Sequence, residues 1–327
     1  MSKETIVVIG AGVIGLTTAL CIQQNLTPAQ SILLVARDFP SETSVNYASP
    51  WAGAHYRPVP GSSPQAIKEA DQARRTYDFL KRTAAAEPGA GIQFVEGVEH
   101  LEAPPPEYLD QQSVRNVYSH LDEFQTLGKE DVPAGVVWGV KYGTYVINSP
   151  VYCAHLLRNM AGNVKTVVNC SGSGFEDPKS FIIRGQTCLV RNPVSKTITR
   201  QNTDGSWSFC IPRPFEGGTI IGGTKEPNNW DPNPSLETRQ RLLANATKWF
   251  PFTPESGGKF DVIRDIVGRR PAREGGLRIE AEKLADERYI VHGYGAGGRG
   301  FELSRGVAED IVAVMLEKRL LQARASL

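Results

Sequence analysis

Gly10-Ala11-Gly12-Val13-Ile14-Gly15 constrains this chain more than any other stretch. Residues 5–9 (Thr-Ile-Val-Val-Ile) precede it and read as a buried strand. Residues 14–25 predict a helix and 31–36 (Ser-Ile-Leu-Leu-Val-Ala) a second strand, which together make a βαβ unit. In such a unit Gly10 permits the tight turn, Gly12 lets the backbone approach a pyrophosphate, and Gly15 lets helix and strand pack closely. The unpaired N–H groups and the dipole at the helix start favour negative charge, so the motif predicts a bound dinucleotide, with Ala11, Val13 and Ile14 completing the cradle. Past the second strand, Arg37 and Asp38 stand where an acidic residue normally holds the adenosine ribose, and the sequence does not choose between them.

The small-residue loop 43–55 follows, with Thr43, Ser44, Ala52 and Gly53 in it. Small side chains let backbone amides approach a planar ring or a phosphate. A nicotinamide dehydrogenase would more often continue here with regular βα units, so the loop favours a flavin. Elsewhere, helices are predicted over 64–86, 150–160, 235–249 (Ser235 as N-cap) and 303–318, and strands over 164–169, 182–191 and 217–224. Elements of two lobes alternate. The expected architecture is α/β: a Rossmann-like dinucleotide lobe from residues 1–55, 150–185 and 285–327, plus a mixed-sheet α+β substrate lobe from 56–149 and 186–284.

A chain of 327 residues is long for one compact lobe. Its formal net charge of +1 points to neither nucleic acid nor an anionic membrane as a partner. Cys21, Cys153, Cys170, Cys188 and Cys210 are scattered through apolar runs without metal-ligand spacing, which predicts buried thiols in a reducing compartment and no metal. No secretory leader and no bilayer-spanning run is read. The final Ala325-Ser326-Leu327 is a weak match to a peroxisomal tripeptide, which sets a peroxisomal location against a cytoplasmic one.

The glycine motif, Ala48–Ala54, Val168–Gly172, Arg184–Thr187, Gly268–Arg273 and the loop His292–Gly300 occur in an order that resembles the D-amino-acid oxidase family, most closely its D-aspartate oxidases. The resemblance spans nearly the whole chain. It implies FAD between the two lobes and oxidation of a D-amino acid by molecular oxygen to a 2-oxo acid, ammonia and hydrogen peroxide. It implies that Arg270 grips the substrate α-carboxylate, as a guanidinium fork suits. It places a Gly298 carbonyl near the substrate amine, and Ser171, Gly297, Gly300, Phe301 and Glu302 near the flavin. Glu302 departs from the neutral residue the family favours. Phe209 and Lys225 stand where many members carry tyrosines. No residue is assigned as acid or base, because hydride transfer from a bound neutral amine needs none.

Lys225, Arg299, Arg200 (in a loop 195–206 expected to lid the site) and His55 make the expected pocket cationic, which favours D-aspartate or D-glutamate. The alternatives are a broad neutral D-amino-acid oxidase, a NAD-dependent dehydrogenase and a non-catalytic flavin-binding protein. A homodimer is the one macromolecular partner considered. The junction 160–164 lacks a strand and turn that the family carries beside the adenine; either the segment is lost or the sequence omits it.

Overall fold

The computed structural model describes residues 4–27, 30–159, 167–175, 177–250, 259–284 and 289–321. The junction 160–164 and the tripeptide Ala325–Leu327 lie outside them. In chain order the strands are β1 (Glu4–Ile9), β2 (Gln30–Val35), β3 (Ala54–His55), β4 (Ile92–Leu101), β5 (Gln125–Thr126), β6 (Trp138–Ile147), β7 (Val167–Asn169), β8 (Ser180–Val190), β9 (Thr197–Gln201), β10 (Trp207–Pro212), β11 (Thr219–Gly222), β12 (Glu226–Pro227), β13 (Val262–Arg273), β14 (Arg278–Lys283) and β15 (Tyr289–Tyr294). The α-helices are α1 (Val13–Gln24), α2 (Pro64–Ala86), α3 (Pro106–Leu109), α4 (Gln111–Tyr118), α5 (Ser149–Arg158), α6 (Leu236–Trp249) and α7 (Gly300–Glu317).

A five-stranded sheet runs β14-β15-β7-β1-β2, parallel except for β14. α1 joins β1 to β2, as the glycine motif predicts. A ten-stranded mixed sheet runs β12-β8-β11-β10-β9-β4-β6-β3, with β13 on the other edge of β8 and β5 on β6. This is the expected α/β fold with interleaved segments. The expected boundaries need two corrections. All of β8 lies in the larger sheet, so that lobe begins before residue 186. β14 pairs with β15 in the smaller sheet, so the dinucleotide lobe resumes before residue 285. Hydrogen-bonded ladders continue as far as their partners do, and composition does not show where they stop.

α2 occupies the predicted span. Pro64 starts it, and the Ser63 side chain accepts from Ala66 N at 3.1 Å. It packs on α7 through Arg75, which donates to Glu309 at 2.9 Å and Asp310 at 2.7 Å. Ser235 caps α6 as expected, accepting from Thr238 N at 3.2 Å. α7 begins earlier than predicted, so Gly300, Phe301 and Glu302 form its first turn. All five cysteines are buried and free.

Side chains alternate across a strand, so the larger sheet has two distinct faces. The register sets Thr187 beside Gly222 and Ile266, Gly222 beside Phe209, Phe209 beside Thr199, and Thr199 beside Glu99. This front face carries Val146, Leu189, Ile211, Ile220 and Ile266, which pack with Trp51 of the small-residue loop. The rear face carries Cys188, Val190, Ile198, Cys210 and Ile221 against Leu242 and Ala246 of α6.

Candidate flavin and substrate site

The cradle is built by steric necessity. Gly10 has φ +105°, and a Cβ there would stand 2.8 Å from the Cys170 carbonyl carbon. A Cβ on Gly15 would stand 2.9 Å from the Gly10 carbonyl carbon. Neither position tolerates a side chain. A Cβ on Gly12 would meet only Ser49 Oγ, at 3.1 Å, so its backbone stays open to a ligand. Val13 N donates to Ser49 Oγ at 3.0 Å, and the Tyr47 hydroxyl donates to Ala11 O at 2.6 Å. A Cβ on Gly300 would lie 3.5 Å from Val13 Cγ1, which brings the starts of α1 and α7 together. A pyrophosphate fits this arrangement: two helix N-termini adjoin across glycines that leave the backbone bare.

The loop that would support the flavin ring is tied down from both sides. Trp51 Nε1 donates to Ser44 O at 2.8 Å. Buried Arg213 donates to Pro50 O at 3.1 Å and Ala52 O at 2.8 Å. Burial, then the charge of Arg264, lowers the Arg213 pKa to about 10. Ser149 Oγ also donates to Ala52 O, at 2.8 Å. Gly53 packs against Ile220, and Ser171 Oγ accepts from Gly174 N at 3.1 Å. Beyond β2, Arg37 and Asp38 pair with each other at 2.8 Å, and Thr43 is exposed.

Arg270 lies on the front face, with its guanidinium directly over Gly185 of β8. A Cβ at Gly185 would be 2.5 Å from Arg270 Cζ and closer still to both terminal nitrogens. Among the described residues, the one side-chain hydrogen bond of Arg270 is to Thr224 O, at 3.3 Å. It has no ion-pair partner among the described residues, and burial lowers its pKa, opposed by the charge of Glu226. Glu226 is itself engaged by Arg184 at 2.9 Å. A desolvated guanidinium without a counter-ion is a ready receptor for a carboxylate. Ala272 and Ala296 form a bridge that draws the Gly297-Gly298 turn over β13, and a Cβ at Gly298 would lie 3.7 Å from Arg270 Cδ. Phe209 closes the floor: a Cβ on Gly222 or Gly223 would come within 2.9 or 2.7 Å of its ring.

The structure corrects three of the four expected pocket cations. Arg200 is in β9, not in a lid, and its register partner is Ser208, so it points to the rear face. There it is 1% exposed, donates to Glu102 through Nε at 2.8 Å, and stacks on Trp249 at 3.8 Å. Arg299 is not a free charge: it is held between Glu69 and Glu302, the latter at 2.7 Å. That pair also accounts for Glu302, whose carboxylate meets a neighbouring cation. His55 is on the front face beside Val146, with Nδ1 3.0 Å from Thr197 Oγ1. Burial, then the charge of Arg57, lowers its pKa to about 3, so it is neutral. Lys225 adjoins Thr224, is exposed and has no ion-pair partner among the described residues.

Tyr47, Ser49, Arg213 and Arg57 were not singled out from the sequence. Each acts through a partner far away in the chain, and no local pattern marks it.

Residues 5–163 and 129–314 match the family model described as DAO, FAD dependent oxidoreductase. The chain is 43% identical to a D-aspartate oxidase of Talaromyces thermophilus over 363 aligned positions, covering 98% of each chain. Because the alignment is longer than this chain, the relative carries residues opposite gaps here. It is 32% identical to a D-amino-acid oxidase of Schizosaccharomyces pombe, covering 97% of this chain and 99% of that one. A glycine oxidase of Bacillus cereus superposes with a TM-score of 0.71 at 14% identity, covering 99% of this chain and all of that one, which speaks for the fold alone. With its glycine cradle and these relatives, the chain belongs to the DAO family of FAD-dependent oxidoreductases, with FAD as its cofactor.

Proposed function

We propose that this protein oxidatively deaminates D-amino acids, with acidic ones preferred, to the 2-oxo acid, ammonia and hydrogen peroxide. The observation that carries the reading is Arg270: half-buried, without a counter-ion among the described residues, and set over Gly185 on the face that meets the flavin loop. Bound FAD supplies acceptance of the Cα hydride and return of the electrons to oxygen. The residues of the chain position the substrate for that chemistry. Arg270 fixes the α-carboxylate through paired hydrogen bonds, which orients Cα. The Gly298 turn caps the same guanidinium. Phe209 excludes water without offering a hydroxyl. The neutral His55 adds no charge to the front face. The preference for acidic substrates is supported by the name of the 43% identical relative.

The test is peroxide release by the FAD-loaded protein with D-aspartate, D-glutamate, D-alanine and L-aspartate. Turnover led by the acidic D-isomers is expected. Turnover led by D-alanine would leave a neutral D-amino-acid oxidase, and no turnover on any would refute the reading.

A further inference from the structure

With Arg200 on the rear face, Arg299 held between two carboxylates, His55 neutral and Lys225 exposed to solvent, the front face calls for a less exposed cation to recognise an acidic side chain. Arg57 stands two residues past His55. Its guanidinium lies 4.5 Å from the centre of the Trp207 ring. Trp207 and Phe209 are alternate residues of β10, hence on the same face and roughly 7 Å apart along the strand. Phe209 in turn touches Gly223, next to Thr224, whose carbonyl accepts from Arg270. A strip of front face therefore runs from Arg57 across Trp207 and Phe209 to Arg270.

Arg57 is braced on one side only. Its Nη1 donates to the Tyr108 hydroxyl at 2.8 Å and reaches Glu99 Oε2 at 3.3 Å. Nε and Nη2 make no hydrogen bond among the described residues. Glu99 is fully buried and already accepts from Tyr118 at 2.7 Å and Tyr142 at 2.8 Å. Burial raises its pKa, against the pull of Arg57 and those tyrosines, so it is a reluctant counter-ion. The stack on Trp207 and the bond to Tyr108 hold the guanidinium plane still and leave a fork of donors spare.

We propose that Arg57 receives the side-chain carboxylate of an acidic D-amino acid whose α-carboxylate is held by Arg270, and that Glu99, Tyr108 and Trp207 are its positioning residues. The inference rests on the function proposed above.

The experiment uses the FAD-loaded enzyme and compares wild type, Arg57→Met and the double variant Arg57→Met/Glu99→Gln, which leaves no buried carboxylate unpaired. In the double variant the ratio of kcat/KM for D-aspartate over D-alanine should fall at least about 30-fold, mostly through KM for D-aspartate. Malonate binding, read from the flavin absorbance, should weaken in parallel. A double variant that keeps the wild-type ratio and malonate affinity overturns the role of Arg57. A wild type that does not favour D-aspartate instead overturns the acidic-substrate reading, and this inference with it. Should the double variant not hold FAD, Trp207→Leu keeps the ion pair and frees only the stack. The same ratio should then fall at least about fivefold, and an unchanged ratio refutes the proposal.

Discussion

Gly185→Ala isolates the position of Arg270 from its presence. The added methyl group would start 2.5 Å from Arg270 Cζ, where ordinary contact begins near 3.4 Å, so the guanidinium has to move by about 1 Å. The backbone of Gly185 is not in the left-handed region, so alanine fits the strand. The clash falls on the end of a long side chain, which yields without unfolding β8. The consequence is therefore functional. A carboxylate that loses one of two charged hydrogen bonds loses about 1.5–3 kcal/mol, or about 10- to 150-fold in affinity. A misplacement of this size costs on the order of 10²-fold in rate where alignment matters. Peroxide release, followed with a peroxidase-coupled dye over a substrate series, should show KM raised and kcat/KM down by about two orders of magnitude, with flavin content and melting temperature near wild type. If kcat/KM stays within about threefold of wild type in the FAD-loaded variant, the guanidinium above Gly185 is not what binds the substrate.

Two further outcomes follow from the corrected charges. The His55 pKa lies near 3 in the folded chain against an ordinary 6.5, so between those values the unfolded chain takes up a proton that the folded one refuses. Stability is full above about pH 6.5 and is lost as pH falls toward 3; His55→Asn should therefore lose less melting temperature between pH 7 and pH 5 than wild type, and equal losses would refute a neutral imidazole. The double variant Arg200→Met/Glu102→Gln, which removes both charges of a rear-face pair, should leave the D-aspartate to D-alanine ratio of kcat/KM unchanged; a collapse of that ratio would put Arg200 back at the substrate.

Arg270 and Arg200 show how far a linear reading reaches. Both were expected to bind substrate. Arg270 lies within a dense motif, Gly268-Arg269-Arg270-Pro271, and it was placed by resemblance. Arg200 was placed by proximity to an assumed lid, yet the segment is a strand, and one residue of register separates the substrate face from the α6 face. Glu302 was an unexplained departure in the sequence; its Arg299 partner lies three residues earlier, and Glu69, the other half of the clamp, lies on α2. Arg57 carried no signal at all, because its neighbours Glu99, Tyr108 and Trp207 come from β4, α3 and β10.

What the sequence determined by itself is the part governed by local rules. Gly10, Gly12 and Gly15 are demanded by backbone conformation and close approach within one turn, and the caps Ser63 and Ser235 act within three residues of their own positions. Helix spans follow from apolar period, and the FAD cradle follows from their order. The tertiary structure decided which charges meet. The pairing of β4 with β9 and of β8 with β13 joins strands distant in the chain, and that register assigns every arginine to a face, a counter-ion or an open position. Electrostatic character depends on burial and on partners brought together from afar, and neither is written in the spacing of neighbouring residues.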